Sequence, residues 1–155
     1  MKQFQFISKN ENDTKSFAKS LASHLEKSDT VILTGELGCG KTKFVEGILT
    51  YFGLEDEICS PTFTIVNEYR KKDTKIYHFD VYRLEDTSEF YEMGGDEYLG
   101  NGICLIEWGE LIETALPEIS LRIHFEKDPA DENARILKIS TNVEKWEVYF
   151  ENIKY

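Results

Sequence analysis

The chain has 155 residues, 41% hydrophobic and 30% charged, with 29 acids against 18 bases and a net charge of −11. That length suits one domain over 1–155, large enough to bury a core without disulfide or metal staples. Independent gripping of RNA or DNA rests on Lys and Arg neutralising phosphates. The acidic balance therefore argues against direct RNA or DNA binding by the chain alone, and suits docking on a basic partner surface.

The three cysteines, Cys39, Cys59 and Cys104, are widely spaced and form no C-x-x-C pair. They support neither a zinc site nor a disulfide framework, which fits a reducing compartment. Met1 to Phe6 lack the apolar core of a signal peptide, and no run approaches a membrane span. The expected location is cytoplasmic.

Residues 3–7 read as a short strand, and Asn12 or Asp13 as the cap of a helix from Thr14 to Lys27 with Phe17, Leu21 and Leu25 on one face. Thr30 to Thr34 are apolar and β-branched, a buried parallel strand. Lys43 to Phe52 place Val45, Ile48, Leu49 and Phe52 at helical spacing, with Gly53 as the stop. Ser60-Pro61 breaks the chain. Residues 63–69 and 75–82 read as an antiparallel hairpin around the turn Lys71 to Thr74. A helical region over 87–99 is interrupted by Gly94-Gly95. Ile103 to Glu107 form another buried strand, followed by a short helix up to Leu116-Pro117. Residues 120–126 and 135–141 alternate like an antiparallel pair split by a polar loop, and Trp146, Phe150 and Ile153 share a helical face.

Between the second strand and second helix lies Gly35-Glu36-Leu37-Gly38-Cys39-Gly40-Lys41-Thr42, a G-x-x-x-x-G-K-T loop. Its glycines let successive backbone N–H groups turn inward on an anion. Lys41 reaches the outer phosphates and Thr42 places a hydroxyl on Mg²⁺. The helix behind it adds its exposed N–H groups and dipole. Glu36, Gly38, Cys39, Gly40, Lys41, Thr42 and Lys43 are thus the expected nucleotide contacts. Cys39 reads as a small filler in the loop.

Such a loop needs a carboxylate for the metal or for water. Glu107 ends a buried strand on the edge where phosphates lie. Asp80 sits in Ile76-Tyr77-His78-Phe79-Asp80-Val81-Tyr82-Arg83, with Ile76, His78, Asp80 and Tyr82 on one face. Both remain candidates. His78 reads as a packed strand histidine, and Asp96, Glu97, Glu110 and Glu113 as a solvated acidic face. Thr62 or Thr64 is a candidate for sensing the outer phosphate. The expected fold is α/β: a P-loop NTPase domain whose mixed sheet, a parallel core with antiparallel strands, is flanked by helices.

Four blocks in order carry a resemblance: the loop with Phe44, Ser60-Pro61-Thr62-Phe63-Thr64-Ile65-Val66-Asn67-Glu68-Tyr69, His78-Phe79-Asp80-Val81-Tyr82-Arg83-Leu84, and Ile106-Glu107-Trp108. Together they resemble the TsaE (YjeE) family of small bacterial P-loop ATPases over about residues 10–140. The resemblance implies a part in making N6-threonylcarbamoyladenosine on tRNA, with ATP and Mg²⁺ as cofactors. The partner would be the TsaD–TsaB complex, whose repeated turnover ATP hydrolysis supports. It implies that Lys41 and Thr42 serve phosphate and Mg²⁺, that Asp80 and Glu107 serve Mg²⁺ and hydrolysis, and that Trp108 supports the site. Thr14 and Arg135 look like positions flanking the nucleotide. Most relatives carry an alanine-like residue where this chain has Cys39.

The leading expectation is a weak ATPase stimulated by its partner. Only Arg70, Arg83, Arg122 and Arg135 are available, and none is an evident arginine finger. Arg83 is a candidate to act in cis; otherwise the partner completes the site. Scattered arginines and no lid-length insertion argue against a small-molecule kinase, and no Asn-Lys-x-Asp reader supports a GTPase. A nucleotide-gated binding module with incidental hydrolysis is the alternative from another class.

Overall fold

A computed structural model describes residues 1–59 and 65–153. Ser60 to Thr64, which hold the two threonines considered for sensing the outer phosphate, lie outside the described residues. The two most apolar runs, β2 (Thr30–Gly35) and β5 (Ile103–Glu107), form the centre of the sheet. Their side chains are buried on both faces, which is why neither run alternates with polar residues.

Around them lie β1 (Lys2–Ser8), β3 (Val66–Lys71), β4 (Thr74–Asp80), β6 (Leu121–Asp128) and β7 (Asp131–Thr141). They make a seven-stranded sheet in the order β1-β7-β6-β2-β5-β4-β3. β2 runs parallel to β5 and β6, and β4 runs parallel to β5. The flanking pairs β3–β4, β6–β7 and β1–β7 are antiparallel. The expected mixed α/β sheet is therefore present.

The helices are α1 (Glu11–Ala22), α2 (Lys41–Tyr51), α3 (Thr87–Glu92), α4 (Gly95–Tyr98) and α5 (Glu144–Asn152). The larger core lies on one face of the sheet. It joins Phe17 and Leu21 of α1, Phe44, Ile48 and Leu49 of α2, and Trp146 and Phe150 of α5 to Val31, Leu33 and Leu105. The smaller core, around Ile32, Phe79, Phe90 and Ile106, lies on the other. Gly47 lets α1 and α2 approach closely, since a Cβ there would fall 2.7 Å from the Ala18 methyl.

Three boundaries differ from the sequence reading. The cap of α1 is Asn10, not Asn12 or Asp13: its extended backbone lets the side chain accept from the Asp13 N–H at 2.9 Å. Asp13 reciprocates by accepting from the Lys9 N–H at 2.9 Å, and this paired arrangement favours the earlier start. α1 also stops at Ala22 rather than Lys27, although Leu25 is still buried beyond it. Finally, β6 and β7 run on through most of the polar segment read as a loop, with Asp128 facing Asp131. That extension exposes Asp131, Glu132 and Asn133, so it carries no apolar alternation to mark it as strand.

Candidate functional site

The C-terminal ends of β2, β4 and β5 meet at one edge of the sheet. Register pairs Leu33 with Glu107 and Asp80 with Glu107, so the loop after β2 and both candidate acids converge there. A cavity of about 770 Å³ opens above them, within the size range of small-molecule sites. Its walls include Gly38 to Lys43, Asp80, Glu107, Trp108, Thr14 and Arg135. Among the described residues expected to contact nucleotide or metal, Glu36 does not line it; that residue contributes its carbonyl to the loop instead.

Backbone geometry accounts for the glycines. Gly35, Gly38 and Gly40 have φ of 130°, 80° and 103°, a region L side chains rarely adopt. A Cβ at Gly35 would also sit 2.5 Å from the Phe125 carbonyl oxygen. The first loop N–H is held by a residue read as merely solvated: Gly35 N donates to Glu110 Oε2 at 3.2 Å. Glu113, assigned to the same acidic face, pairs with Arg122. Nothing in the local sequence distinguishes these acids from solvated ones, because their partners lie on other elements.

Lys41 is 4% exposed and is folded back on its own loop. Its Nζ donates to the Gly35 carbonyl and to the Glu36 carbonyl at 3.0 Å. It also lies 3.9 Å from the centre of the Trp108 ring, within cation–π range. Trp108 is positioned by a left-handed backbone (φ 65°) and by donating its N–H to Leu33 O at 2.9 Å; its ring packs against Tyr82. Burial pushes the Lys41 ammonium below its ordinary pKa, opposed by the nearby Cys39, Glu110, Glu107 and Asp80. Cys39 is 2% exposed and packs into the larger core, as a filler would.

Glu107 is the hub. Thr42 Oγ1 donates to its Oε1 at 3.1 Å, and His78 Nε2 lies 2.5 Å from its Oε2. Glu107 and His78 are both buried. His78 is thus not simply a packed strand histidine; the signal was its place two residues before Asp80 on the same face of β4. Asp80 pairs with neither His78 nor Arg83; its Oδ1 accepts from the Tyr82 N–H at 3.1 Å. Arg83 is exposed and is not part of the cavity wall, whereas Arg135 donates to the Gly38 carbonyl at 3.3 Å. Thr14 is buried, and its hydroxyl bonds Ser8 Oγ at 2.6 Å. Lys9, Asn10, Asp131 and Asn133 also line the cavity; no sequence signal marks them, since the start of α1 and the solvated β6–β7 extension that bring them there carry no apolar pattern.

The Asp80 carboxyl is raised above its ordinary pKa, first by burial, then by Glu107, against the Tyr82 N–H, His78 and Lys41. In the folded chain it keeps its proton to higher pH than in the unfolded chain. Its contribution to stability is therefore complete below the unfolded value and is lost as pH rises through the folded one. Asp80→Asn keeps the acceptor for Tyr82 and removes the charge. It is expected to melt above the parent protein near pH 7 and to match it near pH 3, where both side chains are neutral. A lower melting temperature near neutral pH would contradict this.

Among the described residues, no group of three or more His, Cys, Asp or Glu forms a metal cage. The oxygen pair Thr42 Oγ1 and Glu107 Oε1 instead suits a hard cation such as Mg²⁺. That ion takes few protein ligands and completes its shell with water and phosphate.

Comparison with known proteins agrees with this architecture. The family model described as "Threonylcarbamoyl adenosine biosynthesis protein TsaE" matches residues 8–136. Curated relatives named "tRNA threonylcarbamoyladenosine biosynthesis protein TsaE" include one from Bacillus subtilis, 43% identical over 133 residues, covering 85% of this chain and 83% of the relative. Another, from Rickettsia felis, is 42% identical over 137 residues, covering 88% and 79%. The crystal structure of Bacillus subtilis YdiB superposes with a TM-score of 0.75 at 32% identity, covering 97% of this chain and 93% of that one. With the family match extending from the end of β1 into β7, across the whole glycine loop and both acids, this chain belongs to the TsaE family.

Proposed function

We propose that this chain is an ATP-binding and ATP-hydrolysing accessory protein of tRNA threonylcarbamoyladenosine biosynthesis, supporting turnover of a TsaD–TsaB complex in the cytoplasm. The observation that carries the reading is the direct Thr42–Glu107 contact beside the glycine loop, in the one cavity that also holds Lys41 and Asp80. Family membership supplies the pathway, through the names its relatives bear.

The loop amides and the N-terminus of α2 cradle the β- and γ-phosphates. Lys41 exchanges its bonds to the Gly35 and Glu36 carbonyls for phosphate oxygens. Thr42 and Glu107 are the residues that would hold Mg²⁺, which when bound neutralises charge on the phosphate oxygens. Glu107 is already engaged through both oxygens, which leaves Asp80 to orient water and accept its proton. A carboxyl with a raised pKa is suited to that transfer. Thr14 and Arg135 flank the nucleotide from α1 and β7.

No arginine reaches the site as a finger from within the described residues, since Arg135 is committed to the carbonyls of Gly38, Glu132 and Ala134. Slow intrinsic hydrolysis and stimulation by the partner follow. Release of labelled phosphate from ATP, measured with and without TsaD–TsaB, tests this. A rise of about tenfold or more is expected, because completing transition-state stabilisation in trans is worth at least that much. Equal turnover in the two conditions would refute the partner dependence. Label appearing on an added small-molecule acceptor would refute the ATPase itself.

A further inference from the structure

His78 combines three properties that packing alone does not explain. It is 2% exposed, its Nε2 lies 2.5 Å from Glu107 Oε2, and its buried Nδ1 has no hydrogen-bond partner among the described residues. The fully buried side chains beside it on this face of the sheet, Ile76 and Leu105, are aliphatic. An aliphatic side chain would fill the position without leaving an orphan nitrogen. A buried polar atom without a partner costs about 1–3 kcal/mol, and the one polar contact set against that cost is the bond to Glu107. An ionised carboxylate only accepts, so Nε2 carries the proton and donates.

The consequence lies in how Glu107 divides its oxygens. Oε2 is held from behind by His78, and Oε1 is left to Thr42 and the cavity. Without that donor the carboxylate is free to rotate away from Thr42 or to split its oxygens differently. We propose that His78 is a positioning residue: by holding Oε2 it presents Glu107 Oε1 beside the Thr42 hydroxyl, and so sets the affinity of a divalent-cation position there. The inference rests on the reading of Thr42 and Glu107 as the residues that hold Mg²⁺. It adds a residue that does not touch the cation and acts only through Glu107.

The test is a Mn²⁺ titration of the full chain with ADP, following the free Mn²⁺ signal by electron paramagnetic resonance. ADP affinity in EDTA is measured in parallel. His78→Leu is expected to raise the Mn²⁺ half-saturation about tenfold or more, the usual effect of losing such a supporting hydrogen bond. ADP affinity in EDTA should stay within about twofold, since the loop amides do not depend on His78. His78→Gln places an amide N–H near Nε2 and is expected to restore most of the Mn²⁺ affinity. His78→Asn reaches only the Nδ1 position and is not. This Gln–Asn contrast decides the matter even if the leucine variant does not fold. Unchanged Mn²⁺ half-saturation in His78→Leu overturns the proposal, as does equal behaviour of Gln and Asn. If the parent protein itself takes up no Mn²⁺ with ADP, the cation reading fails, and the positioning role falls with it.

Discussion

Lys41→Ala is expected to lower ATP turnover by about 10²–10³-fold, the usual loss when one preorganised group facing developing charge is removed. Lys41 is the one lysine that is nearly fully buried at the loop, and its ammonium sits where burial already works against its charge. That opposition is offset by the carbonyls of Gly35 and Glu36, by the Trp108 ring and by the nearby Glu110, Glu107 and Asp80. A phosphate bound in the proposed site would relieve it further. The variant removes the cation, yet the loop backbone keeps its shape through the Glu110 carboxylate and the tight approach of Gly35 to Phe125. The melting temperature should therefore change little while turnover collapses. Steady-state phosphate release with a thermal melt of the same sample checks both parts. Turnover within about threefold of the parent protein would remove Lys41 from the mechanism, since that is less than 1 kcal/mol of barrier.

Glu107→Ala is expected to lose turnover to a similar degree, about 10²–10³-fold, and to lose stability as well, by about 1–3 kcal/mol. The two losses have separate causes. The first is the missing carboxylate beside Thr42. The second is His78, left buried with neither ring nitrogen paired. This makes Glu107 unlike Lys41: its removal damages the apo fold. Chemical denaturation gives the stability change, and phosphate release gives the activity. A variant as stable as the parent protein would mean that water or a rearranged side chain satisfies His78. The same variant separates hydrolysis from nucleotide-gated docking. If Glu107→Ala still binds ATP and fully supports many rounds of tRNA modification, binding rather than hydrolysis is the essential step.

Much of the site was legible because its signals are local. The glycine loop depends on backbone angles that only glycine adopts readily, so its spacing appears directly in the chain. The apolar runs of β2 and β5 are continuous because both faces are covered, and that pattern alone marks Glu107 as a strand end. The alternation of β4 likewise put His78 and Asp80 on one face. The start of α1 was less legible, because Asn10, Asn12 and Asp13 all suit a cap. Asn10 took the position because its side chain and that of Asp13 satisfy two backbone N–H groups together. The β6–β7 extension was hidden for the opposite reason: a solvated strand pair needs no apolar pattern.

The sequence by itself determined the glycine loop, the order of strand, loop and helix that frames it, and the pair of acids at neighbouring strand ends. Short-range steric and periodic rules govern all of these. Tertiary structure alone decided how the acids divide. Glu107 lies between Thr42 and His78, which are 65 and 29 residues away in the chain, whereas the Asp80 carboxylate accepts from the nearby Tyr82 N–H. It also made Glu110 an anchor of the loop and set Arg135, rather than Arg83, at its edge. Strand order and register bring these groups together across long stretches of chain, and residue spacing carries no record of that.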